Sequence, residues 1–116
     1  MDNNEKRAKN VLERLGFNFN EEYRKEIKQL LEEEFGNYQE GSSEYLRVLC
    51  GFLFCIGNPN DVVLIEKIKQ GINMDVGVMI DYEWIDSMKG ISRDDIRTRE
   101  ELLEDYISYY KRYFSL

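Results

Sequence analysis

The chain has 116 residues and contains no histidine, a single proline and only two cysteines. The missing histidines exclude His-based acid–base catalysis, catalytic triads that use histidine, and zinc sites with histidine ligands. No apolar run approaches the roughly 20 residues that a membrane-spanning helix needs. The N-terminal stretch MDNNEKRAKN also lacks the apolar core of a secretory signal. We therefore expect a cytoplasmic protein without a membrane partner.

The two cysteines, Cys50 and Cys55, lie five residues apart in an apolar stretch. If this stretch is helical, the two side chains project about 140° apart, so a disulfide between them is implausible. They also lack the CxxC spacing of redox and metal motifs. We predict two buried free thiols.

Positive charge is scarce as well, since the chain has a net charge of −7. A nucleic-acid-binding protein needs a basic patch to displace counterions from phosphates, so we expect no nucleic-acid partner. No glycine-rich phosphate loop is present, and the run Glu32 to Glu34 is typical of a solvated helix face. Only carboxylate chemistry is left open, and we expect no catalytic residue, metal, cofactor or enzymatic activity.

Helical periodicity dominates the chain. Apolar residues recur at helical spacing between capping residues and glycines. The predicted helices span about residues 4–15, 20–35, 42–56, 59–70 and 74–88, and a sixth begins after Ser92 or Thr98. Short turns between helices of this length favour antiparallel hairpins. The predicted fold is a single all-α domain, residues 1–116, of about six helices in stacked hairpins, either a compact bundle or a short HEAT-like solenoid.

The stretch MDVGVMIDYEWID, residues 74 to 86, combines large apolar residues with four acids. On one continuous helix, a partner-facing side would carry Asp75, Met79, Tyr82, Glu83 and Asp86. Ile80 and Trp84 would lie on the opposite side, toward the core. The exposed side is either an ordinary solvated face or a recognition surface, because tyrosine and methionine among charges are typical of interfaces.

Acidic residues concentrate around this stretch. Between residues 74 and 105 the sequence has ten acids and four bases, a net charge of −6. A segment with this charge suits electrostatic steering toward a basic partner.

The C-terminal helix has two adjacent aromatic and aliphatic stripes. We expect one of them, with Leu103, Ile107, Tyr110 and Phe114, to dock on the core. The other contains Leu102, Tyr106, Tyr109 and Tyr113. Its tyrosines are either buried with their hydroxyls reaching solvent or exposed enough to bind a partner.

The run from Tyr45 to Ile85 resembles a known family. Its elements are an apolar helix that ends in FxxGNPxD, then xxLIxKxK, then MDxGxxID. These resemble small all-helical bacterial immunity proteins of polymorphic and contact-dependent growth-inhibition toxin systems. The resemblance implies a protein that binds one cognate toxin domain, often a basic nuclease, and blocks its active site or substrate groove.

This resemblance leads to one functional hypothesis and leaves another open. In the first, Asp75, Glu83 and Asp86 pair with basic toxin residues and Tyr82 and Met79 act as anchors, in a monomer or weak homodimer. In the second, the protein is a HEAT-like adaptor or regulatory scaffold without a toxin partner.

Overall fold

The computed structural model describes residues 1–91 and 97–116. All regular structure in these ranges is helical, so the predicted all-α fold is confirmed. The helices are α1 (Asn3–Leu15), α2 (Arg24–Gly36), α3 (Ser43–Ile56), α4 (Val62–Gly71), α5 (Met74–Met79), α6 (Tyr82–Met88) and α7 (Arg99–Tyr113). Short 3₁₀ turns, Glu21–Tyr23 and Pro59–Asp61, lead into α2 and α4.

Helix α3 lies at the centre of the bundle. Its sequence SEYLRVLCGFLFCI is apolar on nearly every side, and α1, α2, α5 and α6 pack around it. Gly57 ends the helix with φ of 86°, a left-handed conformation that glycine adopts without steric cost. The core residues that α3 contributes include Leu46, Val48, Leu49, Cys50, Phe52, Leu53, Phe54 and Cys55.

The helices form a compact bundle and not an extended solenoid. The Cα radius of gyration is 13.3 Å and the principal extents are 39 × 30 × 26 Å. A compact domain of this length is expected to have a radius of gyration of about 13 Å. Among the described residues, no helix is both long and apolar enough to cross a membrane.

The single helix predicted over residues 74–88 is wrong, because the chain forms two short helices there. α5 ends where Ile80 takes an extended backbone conformation, with φ of −92° and ψ of 116°. Asp81 then caps α6, and its side chain accepts a hydrogen bond from a backbone amide of the first turn. The chain thus turns a corner at Ile80 and Asp81, between α5 and α6, and this corner allows Ile80 and Trp84 both to lie in the core.

The last helix begins at the second of its two predicted starts. The Thr98 side chain accepts from the backbone of Glu101, and the Glu101 side chain accepts from the backbone of Thr98. This reciprocal capping box satisfies two amides that would otherwise lack partners. The alternative start, Ser92 with Asp95, lies outside the described residues.

The acidic run in α2 is only partly solvated, contrary to the prediction. Glu32 and Glu33 are exposed, but Glu34 is buried and forms an ion pair with Arg7 of α1. A buried carboxylate needs such a partner to offset the loss of hydration. Glu34 therefore joins α2 to α1.

Both cysteines are buried in α3 and neither forms a disulfide, as predicted. Desolvation raises the pKa of both the Cys50 and the Cys55 thiol far above the ordinary range.

Candidate functional site

A corner between α5 and α6 shapes the candidate site. Lys69 of α4 reaches this corner, where its Nζ donates hydrogen bonds to the carbonyl oxygens of Gly77 and Ile80. These carbonyls end α5 and have no partner within the helix, so a cation close to them is favourable. Lys69 therefore stabilises the turn that separates the two helices.

Three large apolar side chains stand exposed along this corner. Met74 is 82% exposed, Val78 is 78% exposed and Tyr82 is 54% exposed. All three line one open groove of about 940 Å³, so they form a continuous surface. We call Met74, Val78 and Tyr82 the exposed stripe. Single exposed apolar residues are normal, but a contiguous group beside a groove is typical of a binding surface.

The predicted partner-facing residues divide into two groups in the structure. Met79 and Tyr82 line the groove, and Asp75 is exposed on α5, where no hydrogen bond or ion pair with another described residue engages its carboxylate. Glu83 and Asp86 lie on α6, beyond the corner, and both are partly buried. The continuous acidic face predicted for one helix is therefore not formed.

Glu83 is committed to a contact within the molecule. Its carboxylate accepts hydrogen bonds from the Arg97 side chain, and Arg97 also pairs with Asp81 and Asp105. These carboxylates raise the pKa of Arg97, with the Glu83 hydrogen bond as the largest cause. The prediction that Glu83 pairs with a basic residue of a partner conflicts with this arrangement, since Arg97 already occupies that carboxylate.

The three C-terminal tyrosines that were predicted to bind a partner differ in how far they are buried. Tyr106 is 1% exposed and its hydroxyl donates to the carbonyl oxygen of Val48, so assigning it to a partner-binding surface is wrong. Tyr109 is partly buried and donates to Glu44. Tyr113 is 43% exposed, stacks on the Tyr109 ring, and its hydroxyl lies 3.5 Å from a Glu5 carboxylate oxygen.

The buried side of α7 combines residues of both predicted stripes. Leu102, Tyr106, Tyr110 and Phe114 are buried, while Leu103 and Ile107 are only partly buried. Gly51 makes this packing possible, because a Cβ built on it would lie 2.2 Å from Tyr106 Cε2. The Tyr106 ring thus lies directly against the α3 backbone.

Arg47 is a site residue that the sequence reasoning missed. Its guanidinium lies 5.1 Å from the ring centroid of Trp84, 4.6 Å from that of Tyr109 and 5.2 Å from that of Tyr110. Such contacts stabilise a cation that is largely removed from water. Arg47 also lines the groove beside the exposed stripe. The sequence does contain a signal for Arg47, because it is the one basic residue in the apolar helix α3.

Within the described ranges, no group of three or more cysteine, aspartate or glutamate side chains is placed to hold a metal ion. No family model matches the chain, and no curated protein or solved structure shows significant similarity to it.

Proposed function

We propose that the protein is an immunity-type inhibitor that binds a cognate toxin domain through the exposed stripe and the adjoining groove. The role is binding and occlusion, without catalysis by this chain. The partner we propose is a basic toxin domain, such as a nuclease, whose active site or substrate groove would be covered.

The observation that carries this proposal is the exposed stripe itself. Met74, Val78 and Tyr82 would each lose favourable free energy by remaining in water, at roughly 25 cal/mol for every Å² of apolar surface. These three side chains do not pack in the interior of the bundle, because Val76, Ile80 and Trp84 already occupy the core side of α5 and α6. A partner surface would bury the stripe, and tyrosine and methionine are enriched in such contacts.

The acidic charge of the protein would attract a basic partner over a distance. It offers less support for direct ion pairs within the interface. The acidic excess between residues 74 and 105 gives this part of the chain a net charge of −6. Asp75 lies next to Met74 in sequence and is exposed, so its charge is well placed to attract a basic surface. Charges at the rim of an interface mainly accelerate association, while buried apolar contacts slow dissociation.

The stripe should therefore control affinity. We expect the double variant Met74→Glu/Val78→Glu to bind the toxin domain encoded by the neighbouring gene at least about 100-fold more weakly, because hot-spot residues each contribute about 2 kcal/mol or more. Isothermal titration calorimetry would measure the affinity, and co-expression with the toxin would measure protection. Both substituted side chains are exposed, so the helical fold should persist.

Val63 offers a matched control for these variants. It is 70% exposed on α4 and is not among the residues that line the groove. Val63→Glu adds one carboxylate, against two in the double variant, to a valine that is exposed but outside the groove, and it should leave toxin binding unchanged. Equal losses from both variants would indicate a nonspecific charge effect, and full protection by the double variant would refute the stripe as the interface. A neighbouring gene that encodes no toxin would favour the adaptor role.

Asp75 should affect the rate of association instead. We expect Asp75→Lys to reduce the association rate constant several-fold at low salt, with a smaller change in the dissociation rate. Stopped-flow or surface plasmon resonance measurements at two salt concentrations would separate the two rates. The difference between variant and wild type should shrink as salt screens the charges. If Asp75→Lys changes only the dissociation rate constant, Asp75 lies within the interface and electrostatic steering by Asp75 is refuted.

A further inference from the structure

The groove beside the exposed stripe has a charge opposite to that of the protein. The chain carries a net charge of −7, yet Arg47 and Lys69 both line this groove. Asp81 is the one acidic residue among the described residues that line it. Its carboxylate is already engaged, since it accepts hydrogen bonds from the Arg97 side chain and the Glu83 amide.

Neither of the two groove cations forms an ion pair with a carboxylate of the described residues, although Glu44 interacts electrostatically with Arg47 at longer range. No ion pair between residues in the described part of the chain involves Arg47 or Lys69, although ten other acid–base contacts of 4 Å or less are formed there. Aromatic faces, Tyr110 and the more distant Glu44 carboxylate offset the burial of the Arg47 cation without any ion pair. Among the described residues that line the groove, two bases and one acid leave a net charge of +1.

Hydrogen-bonding capacity is left over as well. The Nη1 atom of Arg47 is buried and has no hydrogen-bond partner among the described residues. An arginine has five N–H donors and a lysine ammonium has three, of which Lys69 uses two on the carbonyl oxygens of Gly77 and Ile80. A bound carboxylate would accept hydrogen bonds from these cations and neutralise part of their charge.

From this arrangement we infer that the groove receives a peptide segment of the partner in which a carboxylate lies among large apolar side chains. The carboxylate would sit between Arg47 and Lys69, and the apolar side chains would cover Met74, Val78 and Tyr82. This inference rests on the proposed function for the identity of the partner, but it adds a specific chemical requirement. A basic toxin would present an acidic residue to this groove, not a basic one.

The test uses two probe peptides on the isotope-labelled wild-type protein. Each is an acetylated and amidated tetrapeptide, one with three leucines and an aspartate, the other with asparagine in place of the aspartate. We expect the aspartate peptide to bind about 10-fold more tightly or better, because a hydrogen bond to a charged group is stronger than its neutral counterpart. Chemical-shift changes should concentrate on the amides of Gly77 and Ile80 and on the Arg47 side chain.

Variants of Arg47 refine this comparison. Arg47→Met keeps an extended apolar side chain among the three aromatic rings and should abolish the preference for aspartate, whereas Arg47→Lys should keep part of it. Thermal unfolding would establish that both variants fold, and the wild-type comparison holds even if one does not. Equal affinity for the two peptides, or shift changes that fall outside the groove, would overturn the inference.

The immunity role and the carboxylate requirement of the groove can be refuted independently of each other. If the wild-type protein does not distinguish the peptides but Met74→Glu/Val78→Glu still loses toxin binding, only the carboxylate requirement is refuted. If the peptides are distinguished but no toxin is bound, the groove chemistry stands and the immunity role is refuted.

Discussion

Raising the pH from about 8 to about 10.5 is expected to lower the free energy of unfolding by about 6–7 kcal/mol, of which about 5 kcal/mol comes from the two buried cysteines of α3. Desolvation raises the pKa of the Cys50 and Cys55 thiols in the folded protein far above the value in an unfolded chain. In the unfolded chain both thiols ionise above about pH 8.5, which stabilises that state. The contribution of each thiol to folding is thus complete below about pH 8.5 and is lost as the pH rises toward the folded pKa.

The size of the effect follows from linkage. While the pH stays below the folded pKa, each pH unit above the unfolded pKa costs about 1.4 kcal/mol for each thiol. Burial also raises the pKa of Tyr106 and Tyr110 well above the ordinary value. These two phenols ionise in the unfolded chain above about pH 10 and add about 1 to 2 kcal/mol by pH 10.5. A domain at the lower end of the typical range of about 5–15 kcal/mol would then be close to unfolding.

Urea denaturation followed by circular dichroism at several pH values, in the presence of a reductant, would measure this decline. The double variant Cys50→Ala/Cys55→Ala removes both thiols from the unfolded chain, so its stability should stay nearly flat until the tyrosines titrate. The comparison uses the slope against pH and not the absolute stability, which the smaller alanines lower by themselves. If the variant declines in parallel with the wild type, burial of the thiols is not the cause.

Local signals in the sequence predicted much of the fold. The apolar run of α3 and the Thr98–Glu101 capping box depend on residues within one or two helical turns of each other. Gly57, which ends α3, is also a local signal, because it directly follows the last residue of the helix. Such features can be recognised without knowing which helix lies beside which.

The corner at Ile80 depends on a distant contact, and for this reason the sequence did not reveal it. The Nζ of Lys69, a residue of another helix, stabilises the carbonyls at the end of α5. A helical projection drawn through the corner placed Glu83 beside Asp75, although the two residues belong to different helices. The error in the candidate site follows directly from the error in the helix.

The burial of Tyr106 was mispredicted and Arg47 was missed for a related reason. The position of the Tyr106 ring depends on the absence of a side chain at Gly51, which is far away in sequence. The surroundings of Arg47 depend on rings from α6 and α7. Periodicity within one helix predicts which side is apolar, but it contains no information about the shape of the neighbouring helix.

Removing the ring of Trp84 should have the largest effect of any single substitution in the candidate site. Trp84→Ala is expected to lower the free energy of unfolding by about 3–5 kcal/mol, the range for a buried aromatic residue replaced by alanine. Trp84 is 2% exposed, and its ring stacks on Phe54 at 5.9 Å and meets Tyr106 edge-on at 6.0 Å. Its removal would leave a cavity between α3, α6 and α7 and take one of the three aromatic rings from Arg47.

Tyr82 provides the matched control, since it is an aromatic residue of the same helix but is 54% exposed. Tyr82→Ala should change stability by no more than about 0.5 kcal/mol, as is usual for exposed positions, while weakening partner binding. Trp84→Phe should recover part of the stability, because the ring contact with Phe54 can persist. Chemical denaturation of the three variants separates the roles that α6 combines, with Trp84 as its anchor in the core and Tyr82 as part of the exposed stripe. Similar losses of stability from Trp84→Ala and Tyr82→Ala would contradict that division.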